Sequence, residues 1–163
     1  MKTLILFSSK YGATEKCVGL IMKELKRKPD VINLKKQTCK DIDRYDTILI
    51  GGAIYAGKLQ GEVKKFVEDN QECLYKKNIG LFLCCKEEEQ AIEYLKTSLP
   101  DAIIQKAFIK EHLGHEINLE RMNFLEKLLL KTVFKVKKSY SKINDHAIKR
   151  IAKNINEIDA VNG

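Results

Sequence analysis

The stretch Leu4-Ile5-Leu6-Phe7-Ser8-Ser9-Lys10-Tyr11-Gly12-Ala13-Thr14 decides the fold. An apolar run ends in two hydroxyl residues and passes through a short turn with one glycine. At Thr14 it gives way to a helical period over 14–27, with Val18, Ile21, Met22 and Leu25 on one face and lysines opposite. Strand, turn and helix in this order form the unit from which parallel sheets are built. Such a turn aims several backbone N–H groups at one spot, and the helix N-terminus adds partial positive charge there, so the loop is suited to an anionic group. Gly12 lets the backbone approach that group closely, and the hydroxyls of Ser9 and Thr14 can donate to it. The loop is neither a Walker A motif nor a GxGxxG dinucleotide fingerprint.

Outward from this unit, apolar runs at 46–50, 79–85 and 102–109, with a weaker one at 30–34, read as further strands after the first at 2–7. They are near-continuous rather than alternating, as in a parallel sheet covered on both faces. Helical periods lie between them. Residues 62–70 gather Val63, Phe66 and Val67; 88–99 gather Ala91, Ile92, Leu95 and Leu99; 143–158 gather Ala147, Ile148, Ile151, Ala152 and Ile155. A short helical crossover fits 35–45. The alternation predicts an α/β fold, a doubly wound five-stranded parallel sheet with helices on both faces, in one domain over 1–163. Residues 112–141 exceed what a strand-to-helix connection needs. Their helical pattern over 119–140 predicts an inserted helix before the last one.

The net charge of +8 is concentrated in that insertion. Residues 119–142 hold seven Lys or Arg against Glu120 and Glu126, interleaved with Met122, Phe124, Leu125, Leu128, Leu129, Leu130, Val133, Phe134 and Val136. A helix of this mixture suits a membrane surface or a protein partner, and it suits equally well packing on its own sheet. No nucleic-acid partner is expected. Five cysteines in odd number, without CxxC spacing, argue against a disulfide framework and against a zinc site, so no metal is expected. The run from Leu4 to Phe7 is too short for a signal-peptide core, and nothing approaches the ~20 apolar residues of a membrane span. The expected location is cytoplasmic, with peripheral contact at the inner face of the membrane through 119–142. The three histidines, His112, His115 and His146, read as solvated loop residues, and no catalytic residue stands out.

The strand, Ser, two residues, Gly, one residue and Thr of this loop are similar to the FMN phosphate loop of the flavodoxin family. The resemblance implies that Ser9, Lys10, Tyr11, Gly12, Ala13 and Thr14 wrap an FMN phosphate. The turn at 51–58 resembles the family's first flavin loop, which would bring Ala53, Ile54, Tyr55, Ala56 and Gly57 to the isoalloxazine, with Tyr55 stacked on or flanking it and Gly57 permitting a peptide flip. The end of the fourth strand supplies Cys84, Cys85 and Lys86 in the position of the second flavin loop. No aromatic follows there, which leaves the second flavin face either open or covered by the insertion. The opening run, the 51–57 turn and the late basic insertion together resemble the flavodoxin-type, menaquinone-dependent protoporphyrinogen oxidases of bacteria. That narrower resemblance implies an FMN-dependent oxidoreductase of heme biosynthesis, with a porphyrinogen substrate and a quinone or redox-protein partner. The alternative is an electron-transfer carrier that docks on protein partners.

Overall fold

The central strands of the main sheet carry apolar side chains on both faces, so they must be covered twice. The computed structural model, which describes residues 1–133, 135–136 and 138–161, does this with helices above and below. Strands β1 (Thr3–Phe7), β2 (Asp30–Asn33), β3 (Thr47–Tyr55), β5 (Asn78–Cys84) and β6 (Ile109–His112) run parallel in the order β2-β1-β3-β5-β6, and the two-residue β4 (Lys58–Leu59) folds back antiparallel on β3. Because side chains alternate along a strand, Leu4, Leu6, Ile48, Ile50, Leu81 and Leu83 face one layer, while Ile5, Phe7, Leu49, Phe82 and Cys84 face the other. The first layer is closed by α2 (Gly61–Asp69), α3 (Gln71–Leu74), α4 (Ala91–Ser98) and α5 (Asp101–Lys106). The second is closed by α1 (Ala13–Glu24) and α7 (Asp145–Val161), whose Cys17, Val18, Ile21, Ala147, Ile148 and Ile151 pack together. Burying each such aliphatic side chain contributes about 1.5–3 kcal/mol, which makes the double-sided sheet the dominant source of stability.

Three expected elements differ. Residues 35–45 form no helix. Asn33 instead closes a turn by accepting from the N–H groups of Lys36 and Gln37, and Ile42 and Tyr45 anchor the crossover in the core. Residues 102–109 are not a strand. Pro100 stands at the N-cap of α5, Ile103 and Ile104 are buried on one helical face, and the edge strand begins only at Ile109. The insertion is not one helix over 119–140. It is a hairpin of β7 (Gly114–Ile117) and β8 (Tyr140–Ile143), antiparallel, whose long connection carries a 3-10 turn at Leu119–Arg121 and a short helix α6 (Phe124–Thr132). Phe134 and Lys137 of the expected helix lie outside the described residues. Leu113, fully buried between β6 and β7, ties the hairpin to the sheet. Its N–H donates to Leu83 O at 2.8 Å and its carbonyl accepts from Asn144 N at 3.0 Å.

Candidate functional site

A doubly wound sheet holds ligands at the carboxyl ends of its strands, where the strand order reverses. Here β1 and β3 diverge at that point, and the loop after β1 carries the residues singled out above. Gly12 caps α1 with φ 93°, in the left-handed region that an L side chain rarely adopts. Its N–H donates to Ser9 Oγ at 3.1 Å, which closes the turn. No side chain caps the helix, so its first N–H groups remain available. Ser9 is buried, and Thr14 is 1% exposed with a hydroxyl that finds no partner. The Cys84 thiol lies close enough to feel this hydroxyl, but sulfur is a weak acceptor and no well-aligned bond forms, so an oxygen acceptor would satisfy it better.

The second wall comes from β3. Ala56 (φ 49°) and Gly57 (φ 75°) form the two-residue loop between β3 and β4, and positive φ at both positions is the signature of the type I′ hairpin turn. Glycine takes that conformation freely. Alanine does so only under strain, and Ala56 is one of the residues facing the cavity. The base of the loop is pinned by the Gln60 side chain, which accepts from Ala53 N at 3.0 Å. Tyr55 projects from the strand end and meets Tyr11 edge to face, with ring centroids 5.6 Å apart at 84°. Burial pushes its phenol up to about 12, so it stays neutral.

The third wall is the end of β5. Adjacent Cys84 and Cys85 do not make a dithiol, because consecutive strand residues point to opposite faces. Cys84 lies in the α1/α7 layer with its Sγ 3.8 Å from that of Cys17, while Cys85 lies in the other layer. The hydrogen bond to Cys17 and burial raise the Cys84 thiol, and burial pushes Cys85 up to about 11, which keeps both protonated.

These walls enclose a cavity of about 420 Å³, within the range of cofactor pockets. Tyr11, Ala13, Ala53, Ile54, Tyr55, Ala56, Cys84, Cys85 and Lys86 line it. Ser9, Lys10, Gly12 and Thr14 belong to the adjoining loop but do not line it, and neither does Gly57. The roof is supplied by residues that the sequence reading did not place there: His115, Glu116 and Ile117 of β7, then Met122, Glu126, Leu129 and Leu130 around α6. The signal for the start of α6 was present. Asn123 and Glu126 have capping-box spacing, and Glu126 N donates to Asn123 Oδ1 at 2.9 Å while Asn123 N donates to Glu126 Oε2 at 3.1 Å.

Glu126 also fastens the roof to the loop. Its Oε1 accepts from Lys10 Nζ at 2.6 Å and from the Tyr11 hydroxyl. The hydrogen bonds from Lys10 and then Tyr11 hold its carboxyl at about 2, and the bond to Glu126 in turn raises Lys10 above its ordinary value. Lys16 of α1 pairs with Glu116 of β7 in a second tie. His112 and His115 are not solvated. His112 Nε2 is 2.7 Å from Cys85 O, and His115 Nε2 is 3.2 Å from the Tyr140 hydroxyl. Burial, helped by Lys142, lowers the His115 pKa, so the imidazole facing the cavity is neutral at neutral pH.

The outer face of α6 is apolar and uncovered, with Phe124 77% and Leu125 73% exposed. Among the described residues no helix is long and apolar enough to cross a membrane.

No curated protein matches the chain. The fold matches solved structures along nearly its whole length at low identity. The archaeal flavodoxin is 12% identical with a TM-score of 0.58, over 95% of this chain and 99% of that one. The Fusobacterium nucleatum flavodoxin bound to flavin mononucleotide is 16% identical with a TM-score of 0.54, over 96% and 98%. Rubredoxin oxygen:oxidoreductase of Desulfovibrio gigas is 14% identical with a TM-score of 0.56 over 94% of this chain, which spans only 36% of that protein. The family model described as "Flavodoxin domain" matches residues 4–144, the greater part of the sequence. The chain therefore belongs to the flavodoxin domain family.

Proposed function

We propose that this protein binds FMN in the cavity between Tyr55 and α6 and uses it to carry electrons. The observation that carries the reading is the conjunction, at one end of the sheet, of an uncapped helix N-terminus and a cavity of matching character. The helix start brings a glycine cradle and the unpartnered Thr14 hydroxyl; the cavity brings apolar walls and two tyrosines. Ser9, Gly12, Ala13 and Thr14 would hold the phosphate through backbone N–H groups and hydroxyls. Ala53, Ile54, Tyr55, Ala56, Gly57, Cys84, Cys85 and Lys86 would frame the ring, with Lys10 and Tyr11 joining the loop to the roof. Bound there, FMN supplies the redox chemistry. The protein residues hold it, keep one ring face against Tyr55, and exclude water from the other with Ile117, Met122, Leu129 and Leu130. The test is the protein as purified: a yellow chain with flavin absorption that releases FMN, identified by mass, on denaturation. A colourless chain that takes up no FMN contradicts the reading.

The finer reading is a quinone-linked dehydrogenase of the protoporphyrinogen-oxidase type rather than a carrier alone. Its support is the exposed apolar face of α6 directly over the cavity, on a helix that also carries Lys127 and Lys131, which suits a bulky apolar substrate or the surface of a membrane. Anaerobic turnover of protoporphyrinogen IX with a menaquinone analogue separates the two. Turnover supports the oxidase, and a flavin that exchanges electrons only with a redox protein supports the carrier.

A further inference from the structure

Arg121 places its guanidinium at the mouth of the loop 9–14, more than half exposed to solvent and with Glu15 and Glu116 as its acidic neighbours. The residue ends the 3-10 turn of the insertion, fixed there by its N–H to Asn118 O at 3.3 Å and by Leu119 N to Ser139 Oγ at 3.0 Å. Its guanidinium reaches the bare face of Gly12 with its Nη1 end. A Cβ built on Gly12 would stand 2.0 Å from Arg121 Nη1 and 2.9 Å from its Cζ, so the guanidinium could stay where it is only beside a glycine. This is the N-terminus of the 12-residue α1, where the helix dipole is positive and repels a cation. The ion pair with Glu15 Oε2 is long, 4.0 Å, and both side chains are about half exposed, so it is screened by water and leaves the guanidinium's N–H groups free to turn to an anion on the loop. Beside it the Thr14 hydroxyl is buried and unpartnered. Two positive ends facing each other across a glycine, next to an idle hydroxyl, are reconciled by a bound anion.

We propose that Arg121, delivered by the insertion, is a phosphate ligand that closes the loop 9–14 from outside and makes the site selective for a phosphorylated flavin. This rests on the FMN reading above. The planar guanidinium can donate two parallel N–H bonds to one phosphate, which is stronger and more directional than a lysine contact. Its anchoring on the same insertion that roofs the ring couples phosphate capture to closure of α6.

The experiment titrates the full chain and its Arg121→Gln and Arg121→Lys variants with FMN, with riboflavin and with inorganic phosphate, following flavin fluorescence and the phosphorus-31 resonance. In Arg121→Gln the FMN dissociation constant is expected to rise about tenfold, equivalent to roughly 1.4 kcal/mol, with riboflavin unchanged and the lysine variant between. The FMN preference of the wild type should shrink at high salt. The bound phosphate should stay dianionic in the wild type below its ordinary second pKa of ~6 and titrate near that value in Arg121→Gln. Equal weakening of FMN and riboflavin, or a phosphorus titration that the variant leaves unmoved, reduces Arg121 to a structural prop and overturns the proposal. If the wild type binds FMN and Arg121→Gln binds it equally, the phosphate role falls and the flavin reading stands. A wild type that binds no flavin overturns the flavin reading itself; inorganic phosphate held by the wild type and lost in Arg121→Gln would then leave an anion site without its flavin.

Discussion

At the scale of single residues, Tyr55 carries the sharpest consequence. Its ring is the aromatic wall of the cavity, braced edge-on by Tyr11. Aromatic contacts of this kind contribute about 0.5–1.5 kcal/mol beyond area burial, so Tyr55→Ala should weaken FMN roughly three- to tenfold and Tyr55→Phe should not. Loss of the ring should also leave the bound flavin brighter, because a close aromatic quenches its fluorescence. Fluorescence titration of the three proteins checks this, and equal quenching in Tyr55→Ala would make the residue a bystander. Ser9, Gly12, Thr14 and Tyr55 were legible in the sequence because their constraint is local: a hydroxyl or a glycine at a fixed offset from a strand end. Glu126 and Arg121 were not. Each acts on the 9–14 loop across more than 100 residues of chain, and in a basic stretch they read as ordinary surface charges.

At the scale of elements, the insertion behaves as a roof on a hairpin stalk, and its latch is Glu126. The carboxyl sits at about 2 when docked against an ordinary 4.5 when free. A depressed acid stabilises the docked form above its free value and loses that contribution as pH falls through the window between 4.5 and about 2. Amide protection over 118–133, taken relative to the intrinsic exchange rate at each pH, should therefore stay high down to about pH 4.5 and fall below it. In Glu126→Gln that protection should already be low at pH 7, with its acid-side dependence gone and the main sheet unaffected. Identical profiles in the two proteins would show that α6 is held by something else. The elements misread in the sequence share a physical cause. The run at 102–109 is short and apolar, a pattern that strand and helix share, and Pro100 followed by Asp101 decided for a helix. Over 119–140 the apolar and basic residues keep a helical period. The chain leaves it after Thr132 and returns as β8, pairing Tyr140 with Ile117, a non-local contact invisible to periodicity.

At the scale of the whole molecule, the long helices and central strands followed from the sequence because a double-layered core imposes near-continuous apolar strands and amphipathic helices at once. What the core does not use is the outer face of α6. If that face meets an anionic membrane, the protein should float with phosphatidylglycerol vesicles at low salt and not with neutral ones. Phe124→Glu with Leu125→Glu should then abolish the association while leaving FMN affinity within about threefold of wild type, since neither side chain lines the cavity. Failure to float under any salt condition would return α6 to the role of a roof alone. The central claim is that FMN binds with its phosphate on the loop 9–14. Calorimetric titration of flavin-free protein with FMN, in the wild type and in Gly12→Val, tests it most directly. Valine at residue 12 would have to hold a φ of 93°, which a β-branched side chain rarely adopts, and would push the Arg121 guanidinium off the loop. One FMN per wild-type chain, with affinity at least tenfold weaker in Gly12→Val, about 1.4 kcal/mol, is the predicted result. Equal affinity in a folded Gly12→Val chain, or no heat of binding from the wild type, would contradict it.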